Sequence, residues 1–236
     1  MADPTPYFRN RYYFRLNLRR HEHLSTLGLA LHGRTVLEVG AGIGDHTEYF
    51  LDRGCRVTAT EGREDNVAFL AERYGDDDRV DVRRLDLDDP GDGWSGLADR
   101  WEVCYCYGVL YHLSRPAEAL RLLAPLTSSM LLLETVCAYG DDESVNLWEE
   151  SDARCSQSLR GTGCRPTRAW VWNRLGELFE HVYVPVTQPW HDEFQIDWTP
   201  RPGNQRLLGR GVFIASREPL TNPLLSPELV VQQRRG

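Results

Sequence analysis

The chain has 236 residues, 41% of them hydrophobic, which is enough for one substantial core and short for two complete domains. Its formal charge of -8, from 35 acidic against 27 basic residues, gives no general attraction for nucleic acid or an anionic membrane. Every basic residue is arginine, which excludes a lysine Schiff base, a Walker-type phosphate lysine and a lysine general base.

The six cysteines (Cys55, Cys104, Cys106, Cys137, Cys155 and Cys164) show no C-x-x-C spacing, so no zinc knuckle, redox motif or other metal site is expected. There is no secretory h-region and no apolar run near about 18 residues, which reads as a soluble protein of the reducing cytoplasm with no membrane partner.

In chain order, the aromatic and arginine-rich stretch from Tyr7 to Arg20 reads as a helix, with Leu24 and Leu27 continuing its apolar stripe. Seven strands follow: Thr35 to Gly40, Arg56 to Glu61, Val80 to Asp86, Trp101 to Gly108, Ser129 to Val136, His181 to Val186 and Gly211 to Arg217. Helical patterns lie between the first five, at Gly44 to Asp52, Glu64 to Arg73 and Pro116 to Leu123, with Pro116 at a favourable first helical position. Strands alternating with helices imply a parallel sheet covered on both faces, and the last two strands, joined without a helix, imply an antiparallel edge. The domain plan is a helical segment over 1–34, an α/β domain over 35–218 with insertions at 139–165 and 188–210, and a tail over 219–236 without a core pattern.

Gly40, Gly42 and Gly44 follow an apolar strand and open a helix, so the backbone there can turn tightly and approach a ligand. A dinucleotide motif would place a third glycine where Asp45 stands, and a carboxylate there opposes a pyrophosphate. Glu38, Glu61 and Asp86 end the first three strands. A cationic, phosphate-free adenosyl ligand suits such acids better than NAD does, with Glu61 placed for ribose hydroxyls and Asp86 for an adenine amine.

The run Val36-Leu37-Glu38-Val39-Gly40-Ala41-Gly42-Ile43-Gly44 resembles motif I of class I S-adenosylmethionine-dependent methyltransferases. Glu61-Gly62-Arg63, Asp86-Leu87 and the Gly108-Val109-Leu110-Tyr111-His112 run are similar to their later elements, in order, over roughly Thr35 to Thr135. The resemblance implies an α/β, Rossmann-like sheet of seven mostly parallel strands in the order 3-2-1-4-5-7-6, strand 7 antiparallel, with an N-terminal helical lid. It also implies S-adenosylmethionine as cofactor, held by Gly40 and Gly42 at the methionine part, Glu61 at ribose, Asp86 and Leu87 at adenine, and Tyr107, Gly108 and Val109 along the cleft. Glu38, Ala41, Asp45, Gly62 and Arg63 complete the expected cofactor set.

For the chemistry, His112 is the candidate base, since an imidazole titrates near neutrality. Glu134, at the end of the fifth strand, is the second catalytic candidate. Tyr13, Asn17 and Arg20 of the first helix, Tyr111, Arg165 and Arg168 before the helical pattern Ala169 to Glu180, and His191 are candidate substrate contacts. The expected activity is methyl transfer to an oxygen or nitrogen of a small-molecule metabolite, and a homodimer is compatible with it. The alternatives are a tRNA-modifying alkyltransferase, because the later elements resemble tRNA uridine carboxymethyltransferases, and a cofactor-binding partner subunit without catalysis.

Overall fold

In a computed structural model, described here for residues 3–91, 100–199 and 207–236, period-two alternation along the strands divides the core into two layers. Leu37, Cys104, Cys106, Leu131, Leu133 and Phe213 face one side, and Val36, Val103, Tyr105, Leu132, Val212 and Ile214 face the other. The strands are β1 (Thr35–Val39), β2 (Arg56–Glu61), β3 (Val80–Arg84), β4 (Trp101–Tyr107), β5 (Thr127–Ala138), β6 (Leu147–Glu149), β7 (Thr162–Cys164), β8 (His181–Pro185), β9 (Thr187–Gln188), β10 (Leu208–Ser216), β11 (Leu225–Ser226) and β12 (Arg234–Arg235). The helices are α1 (Thr5–Phe8), α2 (Arg11–Thr26), α3 (Thr47–Leu51), α4 (Glu64–Tyr74), α5 (Pro116–Leu126) and α6 (Arg168–Gly176).

The main sheet runs β11-β8-β10-β5-β4-β1-β2-β3. β10 is antiparallel to both β5 and β8, so the expected order 3-2-1-4-5-7-6 is present with one further edge strand. That strand comes from the segment after residue 218, which carries no periodic pattern. Leu225 and Ser226 pair with Pro185 and Val184, and Arg234 and Arg235 pair with Thr187 and Gln188. Two-residue strands are too short to show alternation, which is why the tail reads as coreless although Leu225 and Gln233 are buried.

α5 and α6 cover the first face with Leu120, Leu123, Val171 and Leu175; α2, α3 and α4 cover the second. Asn10 caps α2, its side chain accepting from Tyr13 N at 3.0 Å. Leu16 and Leu24 of α2 are fully buried, so this helix belongs to the core as well as covering the ligand edge. The helix expected over Gly44 to Asp52 is shorter than its pattern: positive φ at Gly42 and Gly44 holds the chain in turns until Thr47. The insertion at 188–210 falls partly outside the described residues, at 200–206.

His23 of α2 is 1% exposed and bonds Thr187 through Nε2, at 3.2 Å to the carbonyl and 3.1 Å to the hydroxyl. Burial pushes its imidazole down from 6.5 to about 4. The folded state therefore binds fewer protons than the unfolded one, and the stability held above pH 6.5 is lost as pH falls towards 4. At full effect this is on the order of 3 kcal/mol. Thermal melts are expected to show the midpoint falling across that window, with His23→Gln removing part of the fall; an equal fall in that variant would assign it to other groups.

Candidate active site

The carboxyl ends of β1, β2 and β4 open on one cleft, as in other open α/β sheets. Gly40 (φ 65°) and Gly42 (φ 59°) lie in left-handed conformations just past β1. A Cβ on Gly40 would fall 2.4 Å from Val109 Cγ2, and one on Gly42 would fall 2.9 Å from the Phe8 ring. Close packing there keeps backbone at the cleft floor.

At one end of the cleft, Glu61, Gly62, Arg63, Asp86, Leu87, Gly108 and Val109 line the wall with Phe8 and Gln157 opposite. Gly42 N and Arg63 N donate to the two Glu61 oxygens, each at 3.0 Å. Burial raises the Glu61 carboxyl and these amides partly offset that, leaving each oxygen capacity for a further donor. Asp86 accepts from Asp88 N at 3.0 Å and from Arg160 Nη2 at 2.8 Å, so an adenine amine would share this carboxylate with a half-exposed guanidinium.

The other end is lined by Tyr13, Asn17, Arg20, Ala41, Asp45, Tyr107 and Tyr111. Among the described residues Tyr107 Oη has no hydrogen-bond partner and is buried there. Asp45 lies 3.4 Å from Arg73, while Asn17 accepts from Arg20 at 3.0 Å. Beyond Tyr13 and Tyr111 the cleft opens into a chamber lined by Glu150, Arg165, Glu193, Leu208 and Arg210. His112 and Ser156 line all three parts.

Four expected site residues lie elsewhere. Glu38 is 1% exposed behind the glycine turn, where it accepts from Thr47 Oγ1 at 2.6 Å; alternation along β1 turns it towards α3, and burial pushes its carboxyl up to about 8. Glu134 is fully buried between two guanidiniums, accepting from Arg20 and, at 2.9 Å, from Arg210, so it anchors both side chains. Arg168 is 6% exposed, donating to Val230 O at 3.0 Å over the Trp198 ring. His191 packs edge-on to Tyr12 and Phe194, away from the cleft walls.

Phe8, Glu150, Ser156, Gln157 and Arg210 are among the lining residues that sequence patterns miss. Glu150, Ser156 and Gln157 sit in a non-periodic segment. Arg210 did leave a signal: a charge inside an otherwise apolar strand, diagonal across the β5–β10 ladder from Glu134. Glu150 comes from the β6–β7 hairpin, whose intervening loop roofs the adenosine end. Arg63 ties that roof down by donating to Ser158 O at 2.9 Å, and Arg160 does so through Asp86. Among the described residues no group of three or more His, Cys, Asp or Glu is placed to hold a metal ion, and no helix is long and apolar enough to cross a membrane.

Residues 37–129 match the family model described as a methyltransferase domain. A tRNA U34 carboxymethyltransferase of Vibrio atlanticus (strain LGP32) is 26% identical over 162 residues, 65% of this chain and 47% of that protein. The chain thus spans about half the length of this curated relative. Among solved structures, the N-terminal domain of EvdMO1, crystallised in the presence of SAH and D-fucose, superposes with a TM-score of 0.64 at 20% identity, covering 86% of this chain and 83% of that one. The glycopeptide N-methyltransferase MtfA, complexed with S-adenosyl-L-homocysteine, gives 0.54 at 16% identity, covering 84% and 88%. The chain therefore shares the fold of these methyltransferase structures, and its residues 37–129 match the methyltransferase-domain model.

Proposed function

We propose that the protein is an S-adenosylmethionine-dependent methyltransferase acting on an oxygen or nitrogen of a small cytoplasmic metabolite. The observation that carries this reading is Glu61: a carboxylate at the end of β2, beside the glycine turn, whose partners are backbone amides and the Asn66 side chain and which presents its oxygens to the cleft. Orphaned Tyr107 Oη and the Arg20–Asn17 pair fit the methionine end of the same ligand. Bound there, the cofactor supplies a methyl group already activated by a sulfonium. The chain's own residues then have to bind, align the acceptor and exclude water. The roof loop and Phe8 close the adenosine end, while Tyr13 and Tyr111 frame the passage to the chamber. The D-fucose present with the EvdMO1 N-terminal domain supports an acceptor of that size.

Calorimetric titration is expected to show S-adenosylmethionine binding, weakened on Glu61→Ala by about 1.5–3 kcal/mol, roughly 10- to 150-fold. Tighter binding of NADH would overturn the reading. The Vibrio relative supports a second reading, a tRNA-modifying alkyltransferase. Salt-dependent tRNA binding would favour it, and no binding at low salt would remove it.

A further inference from the structure

His112 lies in the turn Leu110–His112 that follows β4, with its Nδ1 2.5 Å from Glu150 Oε2. Glu150 is fixed by other groups too. Ser158 N donates to Oε2 at 2.8 Å, Arg165 Nη2 donates to Oε1 at 2.9 Å, and the side chain is 3% exposed. Arg165 is held in turn by the carbonyls of Tyr111 and Cys164, at 2.9 and 2.7 Å.

This arrangement determines the tautomer. An ionised carboxylate only accepts, so Nδ1 carries the proton and Nε2 keeps its lone pair. Among the described residues no protein group bonds Nε2, and His112 borders the cofactor cleft and the chamber alike. The hydrogen bond and the charge of Glu150 favour imidazolium, whereas burial, Arg165 and Arg210 oppose it, with burial dominant, so the resting ring is neutral above its ordinary value. Tyr13, Tyr111 and Glu193 face the same chamber.

We propose that Glu150 is a positioning residue that fixes His112 as the Nδ1–H tautomer, and that this pair selects the hydroxyl of a neutral small molecule as methyl acceptor. The inference rests on the methyltransferase reading above. A neutral amine attacks through its own lone pair and needs no base beforehand. A hydroxyl is a poor nucleophile until its proton leaves. In the step, the acceptor oxygen forms its bond to the methyl carbon as the carbon–sulfur bond breaks and the bonding pair stays on sulfur. The hydroxyl proton passes to His112 Nε2, so the positive charge lost from sulfur reappears on imidazolium, stabilised by Glu150. The guanidiniums already have carboxylate partners, Arg165 with Glu150, Arg210 with Glu193, and Arg20 and Arg210 with Glu134, three cations against three anions, so no net charge is left to seek a charged acceptor.

The test is proton–nitrogen NMR of the His112 ring in the complex with S-adenosylhomocysteine. Alongside it, transfer of labelled methyl from S-adenosylmethionine is measured to a panel of neutral hydroxyl compounds and their amino-deoxy counterparts. The wild type is expected to show Nδ1–H with bare Nε2. Glu150→Gln, which preserves size, should mix the tautomers and, by removing the carboxylate that favours imidazolium, lower the His112 midpoint further. Label should appear on hydroxyl probes, with kcat in Glu150→Gln down roughly 10- to 100-fold while KM and cofactor affinity stay within about twofold. An Nε2–H tautomer in the wild type, or an unchanged ring in Glu150→Gln, would overturn the positioning role. Label on the amines alone would overturn the hydroxyl assignment. Absence of S-adenosylhomocysteine binding would instead defeat the methyltransferase reading, and the tautomer of the unliganded protein would still report on Glu150.

Discussion

Glu134→Ala is expected to lower the stability of the fold by about 3–5 kcal/mol, because it strands the buried Arg20 guanidinium without a counter-charge and takes one of two carboxylates from Arg210. Arg20 and Arg210 are 4% and 6% exposed and Glu134 is fully buried. Arginine cannot escape by losing its proton, so both cations stay charged in a site that water does not reach. Arg210 keeps Glu193, at 2.5 Å, and a long bond to Tyr111 Oη at 3.3 Å, whereas Arg20 keeps little beyond Asn17. The loss should therefore fall mainly on the docking of α2. Denaturant titration gives the free energy, and hydrogen exchange along residues 11–26 locates it. Glu134→Gln, retaining one acceptor, should lose less. A loss under about 1 kcal/mol in the alanine variant would mean that the guanidiniums find other partners. Burial raises the Glu134 carboxyl, but the two arginines together outweigh it and hold it below 4.5, so this stabilisation is present above pH 4.5 and fades as pH falls below it.

The second large effect is expected at His112. Replacement by Ala should reduce turnover about 10²- to 10⁴-fold, the range associated with loss of a positioned general base, while cofactor affinity stays within about twofold. Base catalysis requires the neutral ring, and burial lowers its pKa below 6.5. Wild-type turnover should therefore be flat from neutral to mildly alkaline pH and fall only on the acid side of 6.5. In His112→Ala that acid limb should disappear together with the rate. A variant that retains wild-type turnover would remove His112 from the chemistry and leave it as a wall of the chamber.

Much of this was legible in the chain because it is local. The β-branched and apolar runs mark strands, and the strand-helix alternation marks a parallel sheet, since each depends on neighbours a few residues apart. Gly40, Gly42 and Glu61 were legible for the same reason: a left-handed turn needs glycine, and the end of a strand in an open sheet faces the ligand edge. The burial of Glu38 was not legible because its alternation parity along β1, and not its place near the strand end, decides which way it points. The ion pairs of Glu134 were not legible because its partners Arg20 and Arg210 are 114 and 76 residues away.

The sequence by itself determined the class of fold and the glycine turn at the cleft floor, through short-range periodicity and turn chemistry, while the strand order was what the resemblance implied. Only the tertiary structure decided which charges are buried together, that the tail adds an edge strand, and that Glu150, from a hairpin without periodicity, stands against His112. Such pairings follow from packing between segments distant in the chain, and no local pattern encodes them.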